Sequence, residues 1–250
     1  MTATRSTITS APRGKANFAT TRWSVVLRAG GDDAPAAAAL AELCQSYWYP
    51  LYAYARRRGC DPEAARDAVQ EFFLKLTTTR GFAGARRECG RFRSYLLVAM
   101  KRFLINEWQR ARCEKRGGDQ PVVSLDECLA ESRYRLDLAD NETAEVLFDR
   151  QWALTMLDRV LARLAEEYTA AGKADWFAEL RGAIAAAATT APYAEIAARL
   201  GSSEGAIKVA VHRLRARYRE ILREEIAQTV ATPDAVDEEL HHLFAALRRS

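Results

Sequence analysis

Between residues 65 and 76 the apolar side chains Ala65, Val69, Phe72, Phe73 and Leu76 fall at i, i+4, i+7, i+8 and i+11. That spacing lines one face of an α-helix and fits no strand, whose faces repeat every second residue. The same period recurs over residues 36–110 and from 145 onward, carried mostly by Ala, Leu, Arg and Glu. Val, Ile and Thr nowhere gather into the alternating runs of a half-buried strand. The expected fold class is all-α: two helical domains joined by an acidic linker, the second containing a helix-turn-helix.

Local signals place the elements. A first helix over 36–58 would bury Leu40, Leu43, Tyr47, Leu51 and Tyr54, and Gly59 would end it. Asp61-Pro62 supplies an N-cap and a first-turn proline for the helix that carries the Ala65–Leu76 stripe. A third helix over 92–112 would turn Phe92, Leu96, Ala99, Phe103 and Trp108 inward, leaving Lys101, Arg102, Asn106 and Arg110 off that stripe. A Gly- and Arg-rich loop, 77–91, joins the second and third helices. The resulting divisions are an N-terminal extension 1–35, a first domain 36–112, a linker 113–145, a second domain 146–228 and a tail 229–250. In the tail, Thr232-Pro233-Asp234 would open a short helix with Val236, Leu240, Leu243 and Leu247 on one face. A chain of 250 residues suits two compact domains of about 100 residues each.

The net charge is only +4, but it is distributed in blocks. Residues 85–116 hold ten basic and three acidic side chains, residues 117–149 two basic and nine acidic. Residues 199–219 hold six basic and one acidic, and the tail 224–250 has two basic and six acidic. Solvated surfaces mix their signs, so alternating blocks point to parts with different partners. The five cysteines are widely spaced with no C-x-x-C pair, and His212, His241 and His242 lack metal-ligand spacing, so neither a disulfide framework nor a metal is expected. No P-loop, nucleophile motif or cluster of carboxylates and histidines suggests an enzyme, and no cofactor is expected. The start of the chain lacks the apolar core of a secretory signal, and no apolar run is long enough to span a bilayer, which makes the cytoplasm the expected location.

Residues 192–219 carry the pattern of a helix-turn-helix. Ile196 and Leu200 face inward, small Ala197 sits where two helices would cross, and Gly201 supplies the turn. Ser202 and Ser203 can cap the next helix, whose Ile207, Val211 and Leu214 turn inward while Lys208, His212, Arg213, Arg215, Arg217 and Arg219 cover its other faces. Such a helix reads duplex DNA with its N-terminal half, and cations along its sides reach phosphates.

The second helix narrows the choice among DNA-binding proteins. Asp67, Gln70, Glu71 and Leu74 lie at i, i+3, i+4 and i+7, opposite the buried stripe. The run Asp67-Ala68-Val69-Gln70-Glu71-Phe72-Phe73-Leu74-Lys75-Leu76 resembles the most characteristic segment of bacterial sigma factors. Phe92-Arg93-Ser94-Tyr95-Leu96, followed by Lys101-Arg102 and Asn106, is similar to the promoter-melting helix of that family. The two-domain layout resembles the extracytoplasmic-function (ECF) subfamily, in which 36–112 corresponds to sigma region 2 and 146–228 to region 4.

The resemblance implies that Asp67, Gln70, Glu71 and Leu74 dock on the β′ clamp helices of core RNA polymerase, with a second contact at the β flap. It implies that Arg91, Arg93, Tyr95, Lys101, Arg102, Asn106 and Arg110 bind and melt the −10 element. Ser203, Lys208, Val209, His212, Arg213, Arg215 and Arg217 would bind the −35 element. A melted base must be recaptured in a pocket, because unstacking it costs a few kcal/mol, and loop 80–91 with the start of the third helix would provide one. Tyr95 fits either a base-stacking role or the core. The acidic block 117–149 fits either a polymerase-threading linker or a solvated spacer. The alternative class is a stand-alone helix-turn-helix regulator with a helical effector- or partner-binding domain, for which the Asp67–Glu71 face would not matter.

The chain also departs from the family pattern. Arg102 stands where Asn is common, Asn106 where Asp is, and Tyr95 where Trp is usual. Ala206, Val209 and Ala210 replace hydrogen-bonding residues, favouring an apolar readout such as a thymine methyl. Residues 152–191 form a longer helical run, through Trp176, Phe177 and Leu180, than the compact segment usual there. This run is expected to enlarge the second domain; the tail would either gate polymerase access with it or simply pack into the core. Silencing would fall to an anti-sigma factor, a kinase or the tail.

Overall fold

Asp61 accepts a hydrogen bond on Oδ1 from the Ala64 N–H at 2.8 Å, and Pro62 opens the first turn of the helix that follows. The computed structural model describes residues 44–78, 91–113, 142–184 and 192–248, with Ala38, Glu42, Ala130, Glu131, Arg133 and Tyr134. Its helices are α1 (Trp48–Arg57), α2 (Pro62–Thr78), α3 (Phe92–Cys113), α4 (Ala144–Ala170), α5 (Ala174–Leu180), α6 (Tyr193–Arg199), α7 (Glu204–Ala227) and α8 (Ala235–Arg248), with a 3-10 turn at Arg181–Ala183. The described residues contain no β-strand, only an isolated bridge between Arg91 and Val230. The all-α expectation holds.

The apolar stripes are buried as their spacing requires. Tyr47, Leu51 and Tyr54 are fully buried, as are Ala65 and Val69 on α2 and Phe92 and Leu96 on α3. Leu40 and Leu43 lie outside the described residues, as do residues 79–90 of the expected loop. Trp108 departs from expectation: it stays exposed, with the Arg58 guanidinium over its ring at 5.7 Å. The core of this lobe closes with Phe103, short of Trp108, against Phe72.

The organising element is α4. Thr143 caps it by accepting from the Val146 N–H, and Leu147, Phe148, Trp152, Met156, Val160 and Leu164 are buried along it. The helix packs on α1 at one end, with Phe148 edge-on to Tyr54, and on α7 and α8 along its length. Both halves of the chain therefore share one core across α4 rather than sitting as two separate cores. Part of the expected linker joins this packing. Glu131 accepts from the Tyr52 hydroxyl at 2.8 Å and from Arg56 Nε and Nη2 at 3.0 Å, while Ala130 and Tyr134 are buried.

The long run expected through 176–180 is broken. Gly172 adopts φ +68° and ends α4, and α5 then folds back so that Phe177 meets Tyr168 and Leu180 is fully buried. Glycine takes that left-handed backbone without the steric cost of a Cβ. The tail helix α8 forms close to its expected start, with Val236, Leu243 and Ala246 buried and Leu240 and Leu247 half-buried. No helix among the described residues is long and apolar enough to cross a membrane.

Candidate functional site

Three surfaces carry the residues singled out by sequence. On α2, Asp67, Gln70, Glu71 and Leu74 are all exposed on one side, opposite buried Val69, Phe72 and Leu76. Leu74 is 61% exposed, a large apolar side chain left in water amid polar ones. Glu71 pairs with Lys75 one turn on, at 2.5 Å, and Lys75 also reaches Glu107 on α3 at 3.1 Å.

On α6 and α7 the inward set, Ile196, Ala197, Ile207, Val211 and Leu214, is buried. Gly201 turns the chain at φ +59°, and the Ser202 N–H donates to the Ala197 carbonyl at 2.8 Å. Ser203 then caps α7 by accepting from the Ala206 N–H. Lys208, Val209, His212 and Arg213, at i, i+1, i+4 and i+5, form an exposed patch on the first half of α7. Glu204 accepts from Lys208 at 2.8 Å, and that hydrogen bond holds the ammonium pKa above its ordinary value.

Two arginines expected on this patch are turned to protein instead. Arg215 donates through Nε to the Ala183 carbonyl at 2.8 Å, because the 3-10 turn packs against the middle of α7. Arg217 forms a fork on Glu167 of α4, at 2.8 and 2.7 Å, and reaches Glu220 and Glu224. These hydrogen bonds, Glu167 first, raise the Arg217 pKa further. Their position on the helix, beyond its exposed first half, puts both within reach of neighbouring elements.

The α3 set divides as well. Lys101, Arg102 and Asn106 are exposed, with Val98 (51% exposed) and Ile105 (39% exposed) beside them. Val98, Lys101, Arg102 and Ile105 repeat at i, i+3, i+4 and i+7, so apolar and basic side chains share one face. The first turn of α3 is covered. Arg93 is buried, its Nε 3.0 Å and Nη2 3.3 Å from the two oxygens of Glu239 and its Nη1 2.5 Å from Asp149. Its guanidinium lies 4.9 Å over the Trp152 ring. Arg91 pairs with Glu238 and lies 3.5 Å from Glu239. Tyr95 is half-buried against the core, and the side chain of Arg110 lies outside the described residues. The Arg93 site was expected to be open, and α8 closes it in this fold.

Burial raises the Asp149 carboxyl, but the His242 hydrogen bond and the Arg93 charge outweigh it and hold its pKa below the ordinary value. Burial likewise disfavours charged Arg93, and the Glu239 hydrogen bond and charge more than compensate. Among the described residues no group of three or more His, Cys, Asp or Glu is arranged to hold a metal ion.

The family model for ECF sigma factors matches residues 37–224, three quarters of the chain. The chain belongs to the ECF sigma factors. No curated protein and no solved structure matches it. As a sigma factor it acts in transcription initiation with RNA polymerase and DNA, and the matched segment includes the exposed faces of α2, α3 and α7.

The residues of this sigma factor that sequence reasoning missed are Asp149, Trp152, Glu238 and Glu239, which surround Arg91 and Arg93. The run Asp237-Glu238-Glu239 was visible as charge, but its partner lies almost 150 residues away in sequence. Val98 and Ile105 were also missed; their spacing around Lys101 and Arg102 carries the signal.

Proposed function

We propose that this ECF sigma factor docks on the β′ clamp helices of core RNA polymerase through Asp67, Gln70, Glu71 and Leu74 and directs the enzyme to promoters. The observation that carries the reading is the α2 face: three polar side chains around an exposed leucine, on a helix whose other side is core. This face of charged and amide side chains around Leu74 lies within the segment that the ECF sigma factor model matches.

Lys208, Val209, His212 and Arg213 would then contact the −35 element, with Val209 packing on a thymine methyl and the cations on phosphates or base edges. Lys101, Arg102 and Asn106, with Val98 and Ile105, would hold the melted −10 strand, since exposed apolar groups beside cations suit unstacked bases. Arg91 and Arg93 belong to the same surface once it is uncovered. Arg215 and Arg217 act as packing residues and are not assigned to DNA. The protein supplies recognition and strand capture, and the polymerase supplies the chemistry.

The test is transcription reconstituted with core polymerase on a random promoter library. The expected result is enrichment of a two-part motif by the parent chain. Reversing the α2 charges (Asp67→Lys with Glu71→Lys) abolishes polymerase capture while binding of duplex DNA through α7 persists. Unimpaired capture by the reversed variant would refute the docking assignment.

A further inference from the structure

The α8 carboxylates meet the basic side chains that the proposed −10 surface needs. Glu238 and Glu239 pair with Arg91 and Arg93, and Glu239 is completely buried with Arg93. The cover is anchored rather than loosely laid. The Phe92 N–H donates to the Thr229 carbonyl at 3.0 Å, Arg91 bridges to Val230, and Val236, Leu243 and Ala246 are buried. His242 adds a contact to Asp149 Oδ2 at 3.1 Å, while Asp149 Oδ1 accepts from Arg93. Two carboxylates on two arginines reproduce the charge pairing that two phosphates of a nucleic-acid strand would make.

The same packing limits reach. Arg93 is tied to Asp149 and Arg217 to Glu167, and these anchor points are 18 residues apart on α4, about 27 Å of helix. From Arg217 to the exposed patch at Lys208 is a further nine residues of α7, about 14 Å. The closed arrangement therefore ties the α3 and α7 surfaces to two fixed points of one helix, α4.

We propose that the C-terminal segment is a built-in clasp: α8 covers the Arg91–Arg93 end of the strand-capture surface with Glu238 and Glu239, and holds the sigma factor in a closed form that opens to grip the melted strand along the whole surface. The clasp rests on the proposed function for its biological sense. Glu238 and Glu239 lie beyond position 224, outside the family match, whereas Arg91, Arg93 and Asp149 lie inside it. Opening exchanges carboxylates for phosphates at Arg91 and Arg93, a trade that docking on polymerase, with DNA at high local concentration, would drive.

The test measures binding of a fluorescein-labelled single-stranded 20-mer of random sequence by anisotropy, across a salt titration. The full chain is compared with a variant lacking residues 232–250, with Glu238→Gln, and with Glu238→Gln/Glu239→Gln. Glu238 is largely exposed, so its single replacement leaves the buried pair intact and keeps the fold. Each arginine returned to the strand should steepen the slope of log K against log salt by about 0.7. The expected order is full chain weakest, Glu238→Gln steeper by about 0.7, and the tail deletion and the double variant steeper by up to about 1.4, with roughly tenfold tighter binding at low salt. Equal affinity and slope in all four proteins overturns the clasp, as does weaker binding by Glu238→Gln. Capture of core polymerase by the full chain, assayed in parallel, judges the proposed function separately: its absence refutes that reading, while the DNA titration alone decides the clasp.

Discussion

Arg93 and Glu239 are both nearly inaccessible to water, while Arg91, two residues away, and Glu238, one residue away, pair nearer the surface. The two pairs have the same chemistry and different consequences. Removing one partner of a buried pair leaves the other charge desolvated, so Glu239→Ala should cost about 3 kcal/mol, the lower end of the usual range because Asp149 still faces Arg93. Glu238→Ala should leave stability unchanged within measurement, because its carboxylate is exposed and exposed pairs contribute little. Urea unfolding of the two variants against the parent checks both, and equal losses would contradict the burial difference. A second residue-scale prediction concerns Cys44. Burial pushes its thiol up to about 12, so at pH 8 it is almost wholly protonated as well as shielded. Iodoacetamide should modify Cys44 only after denaturant is added, as read by mass spectrometry of the peptide that contains it.

At the scale of elements, caps and turns behave as their local chemistry dictates. Asp61, Thr143 and Ser203 each accept a backbone N–H three residues on, and Gly59, Gly172 and Gly201 take positive φ where helices end or turn. Gly201 sets the angle between α6 and α7. A Cβ there would meet no atom within 4 Å, so Gly201→Ala tests backbone strain alone. The left-handed conformation should cost the alanine variant about 1 kcal/mol, read as a lowered denaturant midpoint, and duplex binding through α7 should weaken with it. These features were legible in the sequence because each depends on residues within one turn. The break at Gly172 was equally local, and the continuous run expected there overlooked it. Trp108 shows the opposite limit: its place on the α3 stripe was regular, yet the core ended one turn earlier, at Phe103 and Leu104.

Across the whole molecule, α4 ties the proposed polymerase-docking and strand-capture lobe to the lobe that carries α7, and acidic side chains hold the tie. Asp149 pairs with Arg93 and His242, and Glu167 pairs with Arg163 and Arg217. For Asp149 burial opposes ionisation but its partners prevail; for Glu167 the Arg217 hydrogen bond leads, against a smaller burial penalty. Both folded-state values are lowered from the ordinary 3.8 and 4.5. A lowered carboxylate stabilises the fold fully above its unfolded value and loses that contribution as pH falls through the folded one. Thermal midpoints should therefore stay level from pH 7 to about pH 5 and decline below about 4.5. Asp149→Asn should be less stable at neutral pH and show a shallower acid decline. A parent curve that rises on acidification would refute the assignment.

Helix positions, their buried faces and most of their ends were readable because a 3.6-residue period and a cap are properties of neighbours along the chain. The exposed faces of α2 and of the first half of α7 were readable for the same reason: an exposed face is the complement of a buried one. Which arginines of α3 and α7 meet solvent was not readable. Arg93, Arg215 and Arg217 carry the same charge and sit on the same helices as Arg102 and Arg213, yet Glu239, Ala183 and Glu167 claim them. Those partners come from segments brought close by the burial of α4 and α8. A charge pattern records how many ions a helix offers, whereas the three-dimensional packing assigns each of them a protein carboxylate, a carbonyl or open water.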